Sequence, residues 1–217
     1  MTIAYLLSAH FLDDTRDGVH TPPASADRAV ARQAEAEADR DRALTEALSG
    51  SDETRARAAL DAVVTAYFDR LARFVYGLVM SVDIAEDVVQ DVLVRVWDAR
   101  HAVRPEQSLR AYLFTAVRRR ALDVLKHHTV EVRHASTLGL DTTVTLAVDD
   151  QLDSEAVAHT VRLAITQLSE RRQTALRLRY EEGLPFALVA EVMGISEKAA
   201  KDLTARAVRE IRASLGV

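Results

Sequence analysis

The chain has 217 residues, a net charge of −5 and no cysteine. The lack of cysteine excludes a disulfide framework and a thiolate zinc site. Many Ala, Leu and Val residues, with only 7 Gly and 4 Pro, indicate an all-α protein. No apolar run approaches the ~18 residues of a membrane span, and no basic segment precedes the short apolar start. We therefore expect a cytoplasmic protein without a signal peptide or membrane insertion.

Charge is distributed unevenly along the chain. Residues 1–54 sum to −6 and residues 129–160 to −5, whereas residues 100–128 sum to +5 and residues 161–217 to +3. Phosphate-binding surfaces are local, so the charge of a segment is more informative than the total. Two basic segments in an acidic chain are therefore compatible with nucleic acid as a partner.

The first part of the chain is predicted to hold an extension and then a helical domain. Residues 1–41 contain few large apolar side chains, so we expect an N-terminal extension that is disordered at first and partly helical later. The first domain is predicted over residues 42–128. Within it, apolar residues recur every three or four positions from Leu60 to Leu78, which predicts a long amphipathic helix.

Two further helices complete the predicted first domain. Asp83 and Glu86 have the spacing of a capping box, which predicts the start of a helix there. The buried stripe of that helix is predicted to be Val88, Val89, Val92 and Val96. After a break at Val103–Pro105, Ser108 is expected to cap a third helix. Its inward side chains are predicted to be Leu109, Tyr112, Leu113, Ala116, Val117 and Val124.

Residues 129–152 differ in composition from their neighbours, being Thr-rich and acidic without a helical period. They predict a flexible linker, although the alternation of Val144, Leu146 and Val148 is also compatible with a short strand. The second domain, residues 153–217, is expected to begin with a helix near Asp153 and to end in a helix-turn-helix. The predicted fold is thus all-α, with two small helical domains joined by a flexible linker.

The end of the chain carries the pattern of a helix-turn-helix. Gly194 is the expected left-handed residue at the end of a short scaffold helix, and Ser196 is the expected cap of the next helix. Such a turn presents the second helix to the major groove of DNA, although ordinary bundles contain the same pattern. The charges favour DNA, because the polar side of the second helix carries basic residues and its apolar side packs on the scaffold. The apolar side is predicted to be Ala200, Leu203, Ala207 and Ile211, and the residues proposed to contact DNA are Ser196, Lys198, Lys201, Asp202, Ala205, Arg206 and Arg209.

Two segments of the first domain resemble a known family. The segment from Asp83 to Trp97 reads DIAEDVVQDVLVRVW, and the segment from Tyr112 to Asp123 reads YLFTAVRRRALD. They resemble the D-A-E-D-L-V-Q-E-V-F-L-R-L-W and W-L-x-x-I-A-R-N-x-x-x-D helices of extracytoplasmic-function (ECF) bacterial RNA polymerase sigma factors. The resemblance covers region 2 of that family over residues 42–128 and region 4 over residues 153–214.

The resemblance implies a sigma factor that binds core RNA polymerase and recognises double-stranded and locally melted promoter DNA. It implies that the exposed face of the acidic helix docks core polymerase through Asp87, Gln90, Asp91 and Arg95. It also implies that the following loop and basic helix capture the −10 element, and that the helix-turn-helix recognises the −35 element. The −10 candidates are Arg100, His101, Arg104, Gln107, Ser108, Tyr112, Arg118 and Arg119. An anti-sigma factor is a possible partner, and no stable homo-oligomer is expected.

The sequence departs from the family pattern at several positions. Tyr112 stands where the family usually has Trp, and Arg119 where it often has Asn. In the reading helix, Leu203 replaces a usual Arg and Thr204 a usual apolar residue. A small rotation of this helix would accommodate the change, and it would alter individual base contacts.

Neither catalysis nor a metal or cofactor is expected. His127 and His128 are adjacent, so on a helix they point about 100° apart and cannot easily share an ion. No nucleophile–base pair, Gly-rich phosphate loop or pair of carboxylates emerges from the sequence. Two alternatives remain open at this point. One is a conventional helix-turn-helix transcriptional regulator that does not bind core polymerase, and the other is a sigma-like protein that acts through protein–protein contacts alone.

Overall fold

The computed structural model describes the backbone of residues 24–102, 108–135, 161 and 163–215, and the side chains of residues 36–102, 108–127, 161 and 163–214. Every regular element in these ranges is helical, which confirms the predicted all-α class. The chain divides into two compact units. One consists of Ala38–Ala147, and the other contains Val148–Val217. No helix in the described ranges is both long and apolar enough to cross a membrane.

Among its described residues, the first unit contains the second half of one long helix, three further long helices and a 3-10 turn. The helices are α1 (Ala24–Ser49), α2 (Glu53–Val79), α3 (Val82–Asp98) and α4 (Leu109–Ala135), and the turn is Arg100–Ala102. Helix α2 packs against both α3 and α4, which also contact each other. The rings of Phe74 and Phe114 are both buried and meet edge to face, with centroids 5.3 Å apart and planes at 83°. This is a favoured aromatic geometry at the centre of the core.

The predicted apolar stripes of the first unit lie inside. Val88, Val89, Val92 and Val96 of α3 are all buried. On α2 the buried side chains include Val63, Tyr67, Leu71, Phe74 and Val75, and on α4 they include Leu109, Leu113 and Val117. Tyr112, Ala116 and Val124 are only partly buried. The helical period of the sequence therefore identified the core faces correctly, with partial exposure at their margins.

The start of α3 differs from the predicted capping box. Met80 adopts a left-handed conformation (φ 57°) that ends α2, and Ser81 caps α3 by accepting a hydrogen bond from the Ile84 amide at 3.4 Å. The prediction that Asp83 and Glu86 form the cap was therefore wrong, because the helix has already begun at Val82. Asp83 remains favourable in the first turn, where the helix dipole attracts negative charge.

The other helix starts follow the expected chemistry. Ser108 accepts from the Ala111 amide at 3.2 Å, which confirms the predicted cap of α4. Asp52 accepts from the Arg55 amide at 3.1 Å and caps α2. Both side chains satisfy amides that have no partner within their own helix.

Two predicted boundaries fall inside helices. Helix α1 begins within the predicted extension and continues through residue 42, and Asp41 and Thr45 of this helix are buried. Helix α4 continues to Ala135, past the predicted start of the linker at residue 129. The predicted disorder of the first residues, the predicted break at Val103–Pro105 and most of the predicted linker lie outside the described residues.

The second unit contains shorter helices. Residues 161 and 163–167 are helical, and they are followed by α5 (Glu170–Leu176), a π-helical turn (Arg177–Glu181), α6 (Phe186–Met193) and α7 (Glu197–Leu215). Helix α7 packs against both α5 and α6. One core cluster joins the first helical segment to α5 and α7, and it consists of Val161, Ala164, Ile165, Leu168, Leu176, Ala207 and Ile211. The sequence did not predict the π-helical turn.

Candidate nucleic-acid interface

A short local motif holds α7 at an angle to α6. Gly194 ends α6 in the left-handed region (φ 64°, ψ 41°), and the Ile195 amide donates back to the Ala190 carbonyl at 3.0 Å. This hydrogen bond is the signature of a Schellman ending, in which a left-handed residue terminates the helix and lets the chain change direction. Ser196 then accepts from the Ala199 amide at 3.2 Å. The predicted turn and cap of the helix-turn-helix are therefore confirmed.

One face of α7 packs on the scaffold and carries little polarity. Ala200, Ala207 and Ile211 are fully buried, and Leu203 is partly buried. Thr204, which replaces a usual apolar residue, is also buried, and its hydroxyl donates to the Ala200 carbonyl at 2.9 Å. A threonine can return its hydrogen bond to the preceding turn in this way, so the helix accommodates the hydroxyl without an unsatisfied donor.

The opposite face of α7 is exposed. All seven residues that the sequence proposes for DNA contact are exposed there, namely Ser196, Lys198, Lys201, Asp202, Ala205, Arg206 and Arg209. Lys201 forms an ion pair with Glu197 at 2.6 Å, one turn earlier. No described residue forms an ion pair with Lys198, Arg206 or Arg209. These three cations therefore need not break a contact within the described structure before they meet an anion.

Sequence reasoning missed two neighbours of this face. The Phe186 ring at the start of α6 lies 5.8 Å from Lys201 Nζ and 4.7 Å from the Arg179 guanidinium. Arg179 also donates to the Leu184 carbonyl at 3.2 Å. The ring attracts both cations, so Phe186 holds positive charge at the edge of the reading helix. No local pattern could reveal this, because Arg179 belongs to the unpredicted π-helical turn.

The −10 candidates of the first unit lie on α4 and in the segment that precedes it. Arg119 is exposed, whereas Tyr112, Arg118 and the capping residue Ser108 are partly buried. Arg100 stacks over the Trp97 ring at 4.2 Å and donates to the Trp97 carbonyl at 3.1 Å. His101 is exposed, with Nδ1 3.3 Å from the Ser49 carbonyl of α1. Arg104 and Gln107 lie outside the described residues.

The acidic face of α3 is exposed as the sequence predicted. Asp87, Gln90, Asp91 and Arg95 all lie on the solvent side of the helix, and the apolar Val94 among them is 60% exposed. Asp91 is engaged by Arg120 of α4, which donates to the same carboxylate oxygen at 2.9 and 3.2 Å. Because both side chains are substantially exposed, this pair stabilises the fold only slightly. It does connect the acidic face of α3 to the basic helix α4, which the sequence did not predict.

Not every basic residue of the second unit contributes to its surface. Arg177 of the π-helical turn is partly buried, and burial lowers the pKa of its guanidinium, with Glu181 acting in the opposite direction. The net charge of +3 over residues 161–217 therefore includes a cation that is partly withdrawn from the surface. Within the described ranges, no three His, Asp or Glu side chains are grouped closely enough to hold a metal ion.

Comparison with known proteins identifies both units. The family model of sigma-70 region 2 matches residues 63–130, and that of sigma-70 region 4 matches residues 158–211. Together these ranges take in more than half of the chain. Both models describe sigma-factor modules, and neither describes a catalytic domain.

Curated relatives carry the same description. The chain is 35% identical over 144 residues to the ECF RNA polymerase sigma factor SigJ of Mycobacterium tuberculosis (strain ATCC 25618 / H37Rv). This alignment covers 64% of this chain and 45% of SigJ. The matched segment thus spans less than half of that relative. Against SigK of Mycobacterium sp. (strain KMS), the identity is 28% over 160 residues, covering 70% of this chain and 82% of SigK.

Two solved structures share the fold. The sigma factor RpoE of Bartonella quintana, in complex with the anti-sigma factor NepR, superposes with a TM-score of 0.60 at 23% identity, over 72% of this chain and 96% of RpoE. CnrH in complex with the cytosolic domain of CnrY gives a TM-score of 0.58 at 23% identity, over 81% and 97% of the two chains. At this identity the two structures show a shared fold. The two family matches and the curated relatives show that the chain belongs to the ECF group of RNA polymerase sigma factors. A conventional helix-turn-helix regulator is disfavoured, because such a regulator has no reason to carry region 2.

Proposed function

We propose that this protein binds core RNA polymerase and directs it to promoters by reading two elements, the −35 element with α7 and the −10 element with the first unit. The observation that carries this proposal is the presence of region 2 and region 4 in one chain and in this order. One module alone would fit many DNA-binding proteins. The pair fits a protein that must hold polymerase and two promoter elements at the same time.

Recognition of the −35 element is assigned to the first turns of α7. Lys198, Lys201 and Asp202 are exposed there, and the N-terminal residues of such helices enter the major groove. Lysine can donate to the guanine acceptors, whereas the carboxylate can accept from cytosine. Arg206 and Arg209 lie further along the helix, and we assign them to backbone phosphates. Lys201 would exchange its ion pair with Glu197 for a base contact.

Capture of the −10 element is assigned to the basic residues of the first unit. Arg118 and Arg119 on α4 provide positive charge for the phosphates of a separating duplex. Tyr112 provides an aromatic ring, and unstacked bases bind such rings with little dependence on sequence. Arg100, His101, Arg104, Gln107 and Ser108 are the remaining candidates in or beside the loop between α3 and α4.

Core polymerase is assigned to the exposed face of α3. Asp87, Gln90, Asp91 and Arg95 surround the exposed Val94, so the face combines charge with an apolar centre. Interfaces commonly have this arrangement of an apolar core within a polar rim. An anti-sigma factor is also proposed as a partner, because RpoE and CnrH were solved in complex with NepR and the cytosolic domain of CnrY.

The decisive experiment is run-off transcription with purified core polymerase on a promoter library. The protein should select a subset of promoters with two spaced elements, and core polymerase alone should select none. Transcripts that do not depend on the added protein, or binding to DNA without binding to core, would overturn the proposal. Core binding without promoter selection would instead favour a sigma-like regulator that acts only through protein contacts.

The assignment of the α3 face is tested by charge reversal. Asp87→Lys and Asp91→Lys should each weaken core binding without unfolding, since exposed substitutions usually change stability little. Asp87 has the simpler interpretation, because Asp91 also binds Arg120. Asp61→Lys on the exposed side of α2 is a matched control. Equal affinity of Asp87→Lys and Asp61→Lys for core polymerase would show that another face makes the contact.

A further inference from the structure

Helix α1 lies before the segment matched by the region 2 model, yet its second half is part of the core of the first unit. Leu48 and Thr45 are fully buried, and Asp41 is 6% exposed. The Thr45 hydroxyl donates to the Asp41 carbonyl at 2.8 Å, so it is satisfied within the helix. Burying a carboxylate costs free energy unless hydrogen bonds compensate for the lost water. The partners of Asp41 therefore explain how it can be buried.

Asp41 connects three helices. Its Oδ1 accepts a hydrogen bond from the Tyr67 hydroxyl of α2 at 2.5 Å, and Tyr67 is itself 3% exposed. Its carboxylate also accepts from the backbone amide of Arg110 in the first turn of α4. That amide has no acceptor within its own helix, and negative charge is favoured near a helix N-terminus. Ser108 satisfies the next amide, that of Ala111. Two side chains therefore bind amides at the start of α4, Ser108 from the adjacent sequence and Asp41 from α1.

The same helix contacts the chain on the other side of the α3–α4 loop. His101 Nδ1 lies 3.3 Å from the Ser49 carbonyl at the end of α1. His101 precedes the α3–α4 loop and Arg110 follows it, so α1 contacts the described chain on both sides of this loop. His101 is exposed, so water can replace its hydrogen bond to α1. Asp41 is buried, so water cannot take over the hydrogen bonds of its carboxylate.

We propose that Asp41 is a positioning residue for promoter opening. It holds the first turn of α4 against α1 and α2, so that Tyr112 and the arginines of α4 are presented at a fixed place when DNA strands separate. This inference rests on the proposed role of the first unit in capturing the −10 element. It predicts that loss of the Asp41 carboxylate damages strand opening selectively, while contacts made by α3 and α7 are retained.

The first measurement does not depend on polymerase. Amide hydrogen exchange of the full-length protein should be faster at Arg110 and Ala111 in Asp41→Ala, by about tenfold if one buried hydrogen bond of ordinary strength is lost. Asp41→Asn keeps one acceptor oxygen and should show a smaller change, and Tyr67→Phe should leave the Arg110 contact in place. Asp39→Asn is the matched control, because Asp39 lies on the same helix and is exposed, with an ion pair to Arg42.

The second measurement uses holoenzyme on a promoter selected from the library. Asp41→Ala should lower open-complex formation on duplex DNA by about tenfold, and a template with a pre-opened −10 region should recover part of this loss. Core binding and binding of a duplex that carries only the −35 element should match those of Asp39→Asn. If Asp41→Ala fails to fold, Asp41→Asn provides the same comparison with a smaller expected loss, and Tyr67→Phe, which keeps the Arg110 contact, should open promoters as Asp39→Asn does.

The outcomes separate the two proposals. Exchange at Arg110 that is the same in Asp41→Ala and Asp39→Asn would overturn the positioning role, whatever the transcription result. Equal losses of core binding, −35 binding and opening would also overturn it, because they would indicate a general loss of stability. Faster exchange at Arg110, with no transcription by the unmodified protein, would leave the link between helices intact and would instead contradict the proposed function.

Discussion

The two units prepare their proposed DNA-binding surfaces in different ways. In the second unit, the angle of α7 is determined by neighbours in sequence, since Gly194 ends α6 and Ser196 caps α7. In the first unit, the start of α4 is held by its own Ser108 and also by Asp41, which lies on a helix far earlier in the chain. A locally encoded surface tolerates changes elsewhere in the fold. A surface held by distant contacts depends on the packing of the whole unit.

The largest expected effect comes from the core of the first unit. Phe114→Ala removes a fully buried ring that packs against Phe74, which should cost about 3–5 kcal/mol of unfolding free energy. The single tryptophan, Trp97, lies in this unit and reports its unfolding in a denaturant titration. Val94→Ala is the control, since that side chain is 60% exposed and should matter little. The amides of α7 should keep their exchange rates, and faster exchange there would show that the two units depend on each other for stability.

A smaller effect is expected at the reading helix. Lys201→Ala should cost ~1–3 kcal/mol of promoter affinity and relax the preference at one or two base positions, if the contact is to a base. Arg209→Ala should weaken binding evenly across sequences and lower its salt dependence, because a phosphate contact carries no sequence information. Binding to a randomised −35 library at several salt concentrations distinguishes the two. Identical uniform losses for both variants would show that the face of α7 is assigned incorrectly.

The left-handed turn at Gly194 should contribute about 1 kcal/mol to the free energy of unfolding. Gly194→Ala adds a methyl group that meets no atom within 4 Å, so its cost is that of a left-handed alanine alone. Gly50→Ala is the matched control in the first unit, where the backbone is not left-handed and the added methyl group would lie 3.4 Å from two carbonyl oxygens. Thermal unfolding should show a loss for Gly194→Ala and little change for Gly50→Ala. A loss at Gly50 as large as that at Gly194 would contradict this account of the turn.

The smallest effect concerns pH. Burial raises the pKa of Asp41, although the Tyr67 hydroxyl, Arg70, Arg40 and the Arg110 amide lower it in part. The folded state therefore takes up a proton at higher pH than the unfolded chain, so this group favours folding increasingly as pH falls through its folded-state pKa. The stability of the natural protein relative to Asp41→Asn should rise on mild acidification, as measured by urea unfolding at a series of pH values. A stability difference between the natural protein and Asp41→Asn that does not change with pH would contradict the raised pKa of Asp41.

Much of the fold could be predicted from the sequence, because the relevant information is local. The stripe of Val88, Val92 and Val96 follows the helical period, and every member is buried. Gly194 and Ser196 identify the turn because each residue has a backbone or hydrogen-bonding property that this position requires. The exposure of the α7 face followed from the same period.

The errors at helix boundaries have a physical reason. Asp83 and Glu86 fit a capping box, but the left-handed Met80 ended α2 early enough for Ser81 to become the cap. Residues 1–41 were predicted to form an extension because they hold few large apolar side chains, but α1 begins within them, and Asp41 and the following Thr45 are buried through polar contacts. Only their partners reveal that they are buried.

The sequence by itself determined the helical class, the two modules, their order and the turn that presents α7, since each depends on periodicity or on the conformational preference of one or two residues. The tertiary structure alone decided that Asp41 meets Tyr67 and Arg110, that Asp91 meets Arg120, and that Phe186 meets both Arg179 and Lys201. Each of these contacts joins different elements of one unit, and no spacing along the chain encodes such a meeting. Such contacts form when the apolar faces of the helices pack, because packing brings polar side chains of different elements within hydrogen-bonding distance.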